Sequence, residues 1–263
     1  MFLDIDGNKV FALSFGSGPR TILAHSGWIG NFEDWIATLA PLSATWRTAV
    51  YDHRGTGETP APVDRITSEA LVDDVFRVMD ALAIERCVLA GFSRGVATVL
   101  QAALRAPDRF EGLVLANGAG GVERPETTPR QRIAPSTWPG ETFRDRLQWF
   151  IERCTPEHDV AHIRRWGVNI LSRAAPEAAD RLFMMQPARP IDWPSELKRM
   201  AIPSLLLQGD QDPLCDTDTM RYLASLIPRS RLVVFENCGH LPAMVRPHQV
   251  AAEIHAFFEG LAK

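Results

Sequence analysis

The chain has 263 residues, 46% of them hydrophobic and 23% charged, which is enough length and apolar content to bury a sizeable core. A formal net charge of −4 leaves no electrostatic footprint for nucleic acid, and no apolar stretch approaches the ~18 residues of a membrane span. The start Met1-Phe2-Leu3-Asp4 has neither a basic nor an apolar segment of signal-peptide kind, so a cytoplasmic protein is expected.

The predicted elements alternate between strand and helix. Phe2 to Ile5 and Lys9 to Phe15 read as strands around Asp6-Gly7-Asn8, whose residue types suit a tight hairpin turn. Arg20 to His25 follows as a strand, Asn31 to Leu42 as a helix and Arg47 to Tyr51 as a strand. Ser68 to Ala83 has Leu71, Val75, Val78 and Leu82 at helical spacing, the pattern of an amphipathic helix. A strand from Arg86 to Ala90, a helix from Val96 to Arg105 and a strand from Gly112 to Ala116 continue the alternation. Units of this kind imply a mostly parallel sheet covered on both faces.

The periodicity breaks after Gly121. Between 122 and 195, prolines at 125, 129, 135, 139, 156, 176, 187, 190 and 194 divide short helical pieces. Trp138, Trp149, Trp166 and Trp193 also fall here. The expectation is a helical lid at 122–195 inserted in a core formed by 1–121 and 196–263, with Trp138, Trp149 and Trp166 joining Trp28 along the substrate pocket. Beyond it, Ser204 to Gln208 and Arg231 to Glu236 read as buried strands, and Asp216 and Asp218 as caps of a helix from Thr219.

Gly91-Phe92-Ser93-Arg94-Gly95 joins an apolar strand directly to a helix. A serine on so sharp a turn is forced toward strained backbone angles, and its flanking glycines give room that a Cβ would deny. The strain projects Oγ clear of the sheet. Asp212, after Gly209-Asp210-Gln211, and His240, after Asn237-Cys238-Gly239, each follow a later strand, so all three converge beyond the strands' carboxyl ends. Asp210 competes with Asp212 as the acid. Asn117, after the preceding strand, cannot carry the charge.

Cys87, Cys154, Cys215 and Cys238 lack Cys-x-x-Cys spacing, so neither disulfides nor a zinc site is expected. Cys87 reads as a small core hydrophobe, and Cys238 stands on the wrong loop for a nucleophile. His158, His162, His248 and His255 read as solvated.

Five segments in order give the chain a resemblance to the α/β-hydrolase fold superfamily over nearly its whole length. Besides the serine elbow, Leu23-Ala24-His25-Ser26-Gly27-Trp28 resembles the family's oxyanion loop, and Tyr51-Asp52-His53-Arg54-Gly55-Thr56-Gly57 resembles its Asp-x-Arg-Gly-x-Gly turn. Gly209 to Asp212 and Gly239-His240 resemble the acid and histidine loops, and the family's Gly-x-x-Asp spacing selects Asp212 over Asp210. The resemblance implies an eight-stranded, mostly parallel sheet with helices on both faces. It also implies a Ser93–His240–Asp212 triad, and an oxyanion hole from the backbone N–H groups of Arg94 and Gly27, or alternatively Trp28.

Two departures stand out. Ser26 replaces a usual glycine, and Arg94 takes the slot after the nucleophile, often Met, Gln or Leu. His25 reads as a brace for the oxyanion loop and Arg54 as a tie between loops. The Arg94 side chain either reaches a carboxylate on the substrate or turns away to pair with an acid of the protein, the commoner fate of an arginine.

The implied activity is hydrolysis of a small-molecule carboxylic ester or lactone, one with an apolar or aromatic portion, through an acyl-enzyme, without cofactor or metal. The same triad also serves perhydrolase and haloperoxidase-like enzymes, carbon–carbon bond hydrolases and some ligand receptors. The aspartate-nucleophile members are excluded, because position 93 is serine.

Overall fold

Residues 1–126, 132–187 and 190–261 are described by the computed structural model of the protein. Pro129 therefore lies outside the described residues. Asp6 and Gly7 both adopt positive φ, 51° and 75°, which is the backbone of a two-residue hairpin turn. They join β1 (Phe2–Ile5) to β2 (Asn8–Phe15), so Asn8 belongs to the strand and not to the turn.

Six further strands complete the sheet: β3 (Arg20–His25), β4 (Trp46–Tyr51), β5 (Cys87–Phe92), β6 (Phe110–Ala116), β7 (Ser204–Gly209) and β8 (Ser230–Phe235). Their order is β1-β2-β4-β3-β5-β6-β7-β8. The first two pairings are antiparallel and all the others parallel. From β3 the chain moves outward to β4 and then returns to β5 on the other side of β3. That reversal opens a crevice at the carboxyl ends of β3 and β5, where open α/β sheets bind ligands.

The helices are α1 (Glu33–Leu42), α2 (Ser68–Ala81), α3 (Gly95–Arg105), α4 (Phe143–Cys154), α5 (Ala161–Leu171), α6 (Pro176–Met184), α7 (Trp193–Arg199), α8 (Thr217–Leu226), α9 (Pro242–Val245) and α10 (Pro247–Gly260). Alternation along each strand divides the core in two. Ile22, Ala24, Val88 and Ala90 face α1, α9 and α10, while Leu23, Leu89, Leu113 and Leu206 face α2, α3 and α8. The helix expected from Asn31 begins two residues later, because the Asn31 side chain is spent accepting the Glu33 N–H at 2.8 Å. Asp216 caps α8 by accepting the Thr219 N–H at 2.7 Å, and Asp218 lies within its first turn.

Helices α4 to α7 run between β6 and β7. Thr142 and Asp145 form a reciprocal capping box that starts α4. Trp138 stacks on Phe150 with centroids 4.9 Å apart and meets Phe183 edge-on at 5.1 Å, and Trp28 packs against all three. This aromatic cluster fixes the inserted helices above the loop that follows β3. No described helix is long and apolar enough to cross a membrane.

Candidate active site

Ser93 stands between β5 and α3 with φ +52°, the left-handed region that a side chain rarely occupies. Its two glycines are sterically required. A Cβ on Gly91 would come within 2.6 Å of Val99 Cγ2, and one on Gly95 within 2.4 Å of the Ser26 carbonyl oxygen. The elbow is therefore clamped between its own helix and the loop after β3, and the Ser93 N–H is anchored on the Ala116 carbonyl at 2.8 Å.

Ser93 Oγ lies 2.9 Å from His240 Nε2, and His240 Nδ1 lies 2.8 Å from Asp212 Oδ2. Asp212, when ionised, only accepts, so the proton on the buried imidazole sits at Nδ1 and Nε2 is free to accept from Ser93. Asp212 Oδ1 also accepts the Leu214 and Cys215 N–H groups at 2.8 and 3.2 Å, and Oδ2 accepts Asn117 Nδ2 at 2.9 Å. Burial pushes this carboxyl up, but His240, by charge and by hydrogen bond, and then Asn117 and the Leu214 amide outweigh it and hold the carboxyl below its ordinary value. It stays an anion at neutral pH. Asp210 is exposed and accepts the Cys238 N–H at 3.1 Å, tying the acid loop to the histidine loop.

The histidine loop is held from the inserted helices as well. The Gly239 N–H donates to Glu157 Oε1 at 2.6 Å, and the His240 N–H donates to the Cys154 carbonyl at 2.8 Å. Cys238 is buried, and burial first of all pushes its thiol up to about 12, far from a thiolate nucleophile. His158, His162, His248 and His255 are exposed.

On the loop after β3, Ser26 Oγ donates to the Asn31 carbonyl at 2.6 Å, so the serine in place of glycine acts as a staple. His25 Nδ1 meets Tyr51 Oη at 2.7 Å and its ring packs against His53, bracing the loop from beneath. His53 Nε2 donates to the Gly27 carbonyl at 3.0 Å. In a trans peptide the N–H opposes the C=O, so the Trp28 N–H points away from His53. Arg54 pairs with Asp74 through two bonds of 2.6 and 2.7 Å and donates to the Arg65 carbonyl at 3.0 Å, the tie expected of it.

The Arg94 side chain corrects an expectation. It does not turn to an acid; Nη2 donates to the Met185 carbonyl at 2.7 Å, and no ion pair forms among the described residues. Of the four tryptophans expected along a pocket, Trp28, Trp138 and Trp149 come together, the last two with centroids 5.7 Å apart. Trp166 packs against the same core without a ring contact to them among the described residues, and it donates to Glu33 Oε2 at 2.6 Å.

Three supporting residues escaped the sequence reading. Asn117 appears there only as a side chain unable to be the acid. Glu157 lies in the proline-broken stretch and leaves no pattern. Asp34 could have been found, because it shares the buried stripe of α1 with Trp35, Thr38, Leu39 and Leu42.

Similarity to known proteins agrees with this architecture. Over 253 residues the chain is 26% identical to a pimeloyl-[acyl-carrier protein] methyl ester esterase of Aeromonas hydrophila, covering 92% of this chain and 96% of the relative. It is 26% identical over 262 residues to 3-oxoadipate enol-lactonase 2 of Acinetobacter baylyi, covering 93% of this chain and 92% of that one. The crystal structure of the enol-lactonase from Burkholderia xenovorans superposes with a TM-score of 0.84 at 21% identity, over 98% of this chain and 100% of that one, a likeness of fold. Residues 20–247 match the family model described as alpha/beta hydrolase fold, and the chain belongs to that family.

Proposed function

We propose that the protein is a serine hydrolase that cleaves a carboxylic ester or lactone through an acyl-enzyme. The observation that carries this reading is the unbroken chain Asp212–His240–Ser93, with links of 2.8 and 2.9 Å, ending on a serine whose backbone is strained at φ +52°. A hydroxyl is a poor nucleophile at neutral pH, so His240 Nε2 takes the Ser93 proton as Oγ attacks the carbonyl carbon and then passes it to the leaving alcohol oxygen. Asp212 fixes the tautomer and stabilises the imidazolium. Water, deprotonated by the same nitrogen, then frees the acid. For a lactone the leaving alcohol remains tethered to the acyl group.

The Arg94 N–H, at the opening of α3, and one N–H of the oxyanion loop would bind the tetrahedral oxygen. The Trp28 N–H, which points away from His53, is proposed as that second donor, with the Gly27 N–H as the alternative. One such donor is worth on the order of 3 kcal/mol of barrier. Residues 122–195 are proposed as a lid, and the cluster of Trp28, Trp138, Phe150 and Phe183 would give the site an apolar wall suited to a substrate with an apolar or aromatic portion. The named relatives are a methyl ester esterase and an enol-lactonase, and the same bond types are proposed here.

A fluorophosphonate probe should label Ser93 alone, and a series of p-nitrophenyl esters with a lactone panel should be turned over by the wild type. Ser93→Ala should retain less than about a hundredth of that activity. A folded protein that resists the probe and hydrolyses no member of either panel would overturn the reading.

A further inference from the structure

We propose that Arg94 and Arg132 form a subsite for a carboxylate carried by the substrate, so that the preferred ester or lactone is an acidic one. This rests on the serine hydrolase reading above, since it places the anion relative to Ser93.

The position comes first. Arg94 follows the nucleophile, and its side chain lines a cavity of about 30 Å³ walled by Gly27, Trp28, Leu182 and Gln186. That cavity adjoins the reacting centre, because a Cβ on Gly27 would lie only 3.2 Å from Ser93 Cβ. The volume is that of one or two waters, or of a carboxylate head.

Charge comes second. Arg94 Nη2 donates to the Met185 carbonyl at 2.7 Å, and Arg132 Nη1 reaches the same oxygen at 3.5 Å, so two guanidinium groups converge on one neutral acceptor. Neither forms an ion pair among the described residues, and residues 127–131 and 188–189 contain no Asp or Glu. Elsewhere in the chain, partly buried arginines are satisfied: Arg54 has the Asp74 carboxylate twice over, and Arg164 donates to Thr155 Oγ1 and to the Thr155 and Glu157 carbonyls. Among the described residues Arg94 has one hydrogen-bond partner for its five donors. Burial first, and then the charge of Arg132, pull its guanidinium down to about 10, while burial lowers Arg132 against the pull of Glu123.

Buried charges are ordinarily paired, and two like charges side by side raise the cost. An anion bridging them removes both penalties. The guanidinium fork matches a carboxylate in shape, and Arg94 opens α3, whose N-terminus adds partial positive charge at the same place. A substrate carboxylate here would orient the ester carbonyl over Ser93 from a second fixed point, which a neutral ester lacks.

The test compares p-nitrophenyl monoesters of glutaric and adipic acid, and butyrate esters of hydroxybenzoic acids, with neutral esters of matched length. The wild type should show at least tenfold higher kcat/KM for one acidic set, expressed mainly in KM, and added salt should shrink the ratio. Arg94→Gln and Arg132→Gln should each cut the acidic-to-neutral ratio at least tenfold, and Arg132→Lys should retain part of it. Turnover of neutral esters with no acidic preference, or a preference untouched by both variants, overturns the subsite and leaves the hydrolase reading standing. Calorimetry on Ser93→Ala protein decides the point without turnover. Glutarate should bind at least tenfold more tightly than its diamide, and equal affinities overturn the inference whatever the activity.

Discussion

Replacing Asp34 by asparagine should make the protein more stable at pH 8 relative to wild type than it is at pH 5. Asp34 is buried on α1 beneath the oxyanion loop, and burial above all pushes its carboxyl up from 3.8 to about 7. Ser26 and the Gly27 amide pull it partly back, while Asp52 and Glu33 repel it further. Between those two values the native state keeps the proton that the unfolded chain releases, so the unfolded state binds fewer protons and stability falls as pH rises. The loss is complete once Asp34 ionises in the fold near pH 7. From pH 5 to pH 7 two pH units at 1.36 kcal/mol each give about 3 kcal/mol. Asp52, itself pushed up to about 6 by burial, titrates together with Asp34, and removing its neighbour's charge acts in the same direction. Urea unfolding of both proteins at pH 5 and pH 8, followed by tryptophan fluorescence, gives the double difference directly. A change below about 1 kcal/mol, or one of opposite sign, would show that Asp34 is already ionised at pH 5 and that the assigned burial cost is wrong.

Asp212→Asn should lower kcat by roughly a thousandfold or more by presenting the wrong group to His240 Nδ1, whereas Asp210→Asn should stay within about tenfold of wild type. The reverse ranking in a steady-state ester assay would displace Asp212 as the acid. Glu157→Ala should lower kcat roughly tenfold with KM little changed, because the 2.6 Å bond to the Gly239 N–H that steadies the His240 loop is lost. Glu157→Gln keeps an acceptor at that place and should recover most of the rate, and equal losses in both variants would refute the positioning role.

The strand pattern was legible because each buried strand repeats a local signal. Val88 and Leu89 face different cores, and the apolar run reads as a strand without knowledge of either. The elbow was legible for a stronger reason. Ser93 at positive φ demands small neighbours, and Gly91 and Gly95 have no room for a Cβ, so the geometry writes itself into five consecutive residues. Asn117 and Glu157 left no such mark. Asn117 acts through hydrogen bonds to Asp212 and Gly239, 95 and 122 positions away, and Glu157 through one to Gly239, 82 positions away, and nothing local distinguishes either from a solvated polar residue. Arg94 was misjudged by the same blindness, since whether an arginine meets an acid depends on Met185 and Arg132, brought to it from distant segments.

The inserted helices proposed as a lid are also hydrogen-bonded to several parts of the site. Trp28 Nε1 donates to the Ala179 carbonyl at 2.7 Å, Arg94 to the Met185 carbonyl at 2.7 Å, and the histidine loop to Cys154 and Glu157 at 2.8 and 2.6 Å. At about 1 kcal/mol net for each bond, lifting the whole insert as a rigid body would cost several kcal/mol and release His240 at the moment of substrate entry. The costs divide along the insert. The α4–α5 junction holds the histidine, whereas α6 and the residues after it hold Trp28 and Arg94, which border the cavity. If the insert serves as the proposed lid, opening confined to α6 would admit a substrate while leaving the Ser93–His240–Asp212 chain intact. A carboxylate arriving at Arg94 would replace the Met185 carbonyl as its acceptor, so an acidic substrate would itself release the contact that ties the end of α6 to the nucleophile turn.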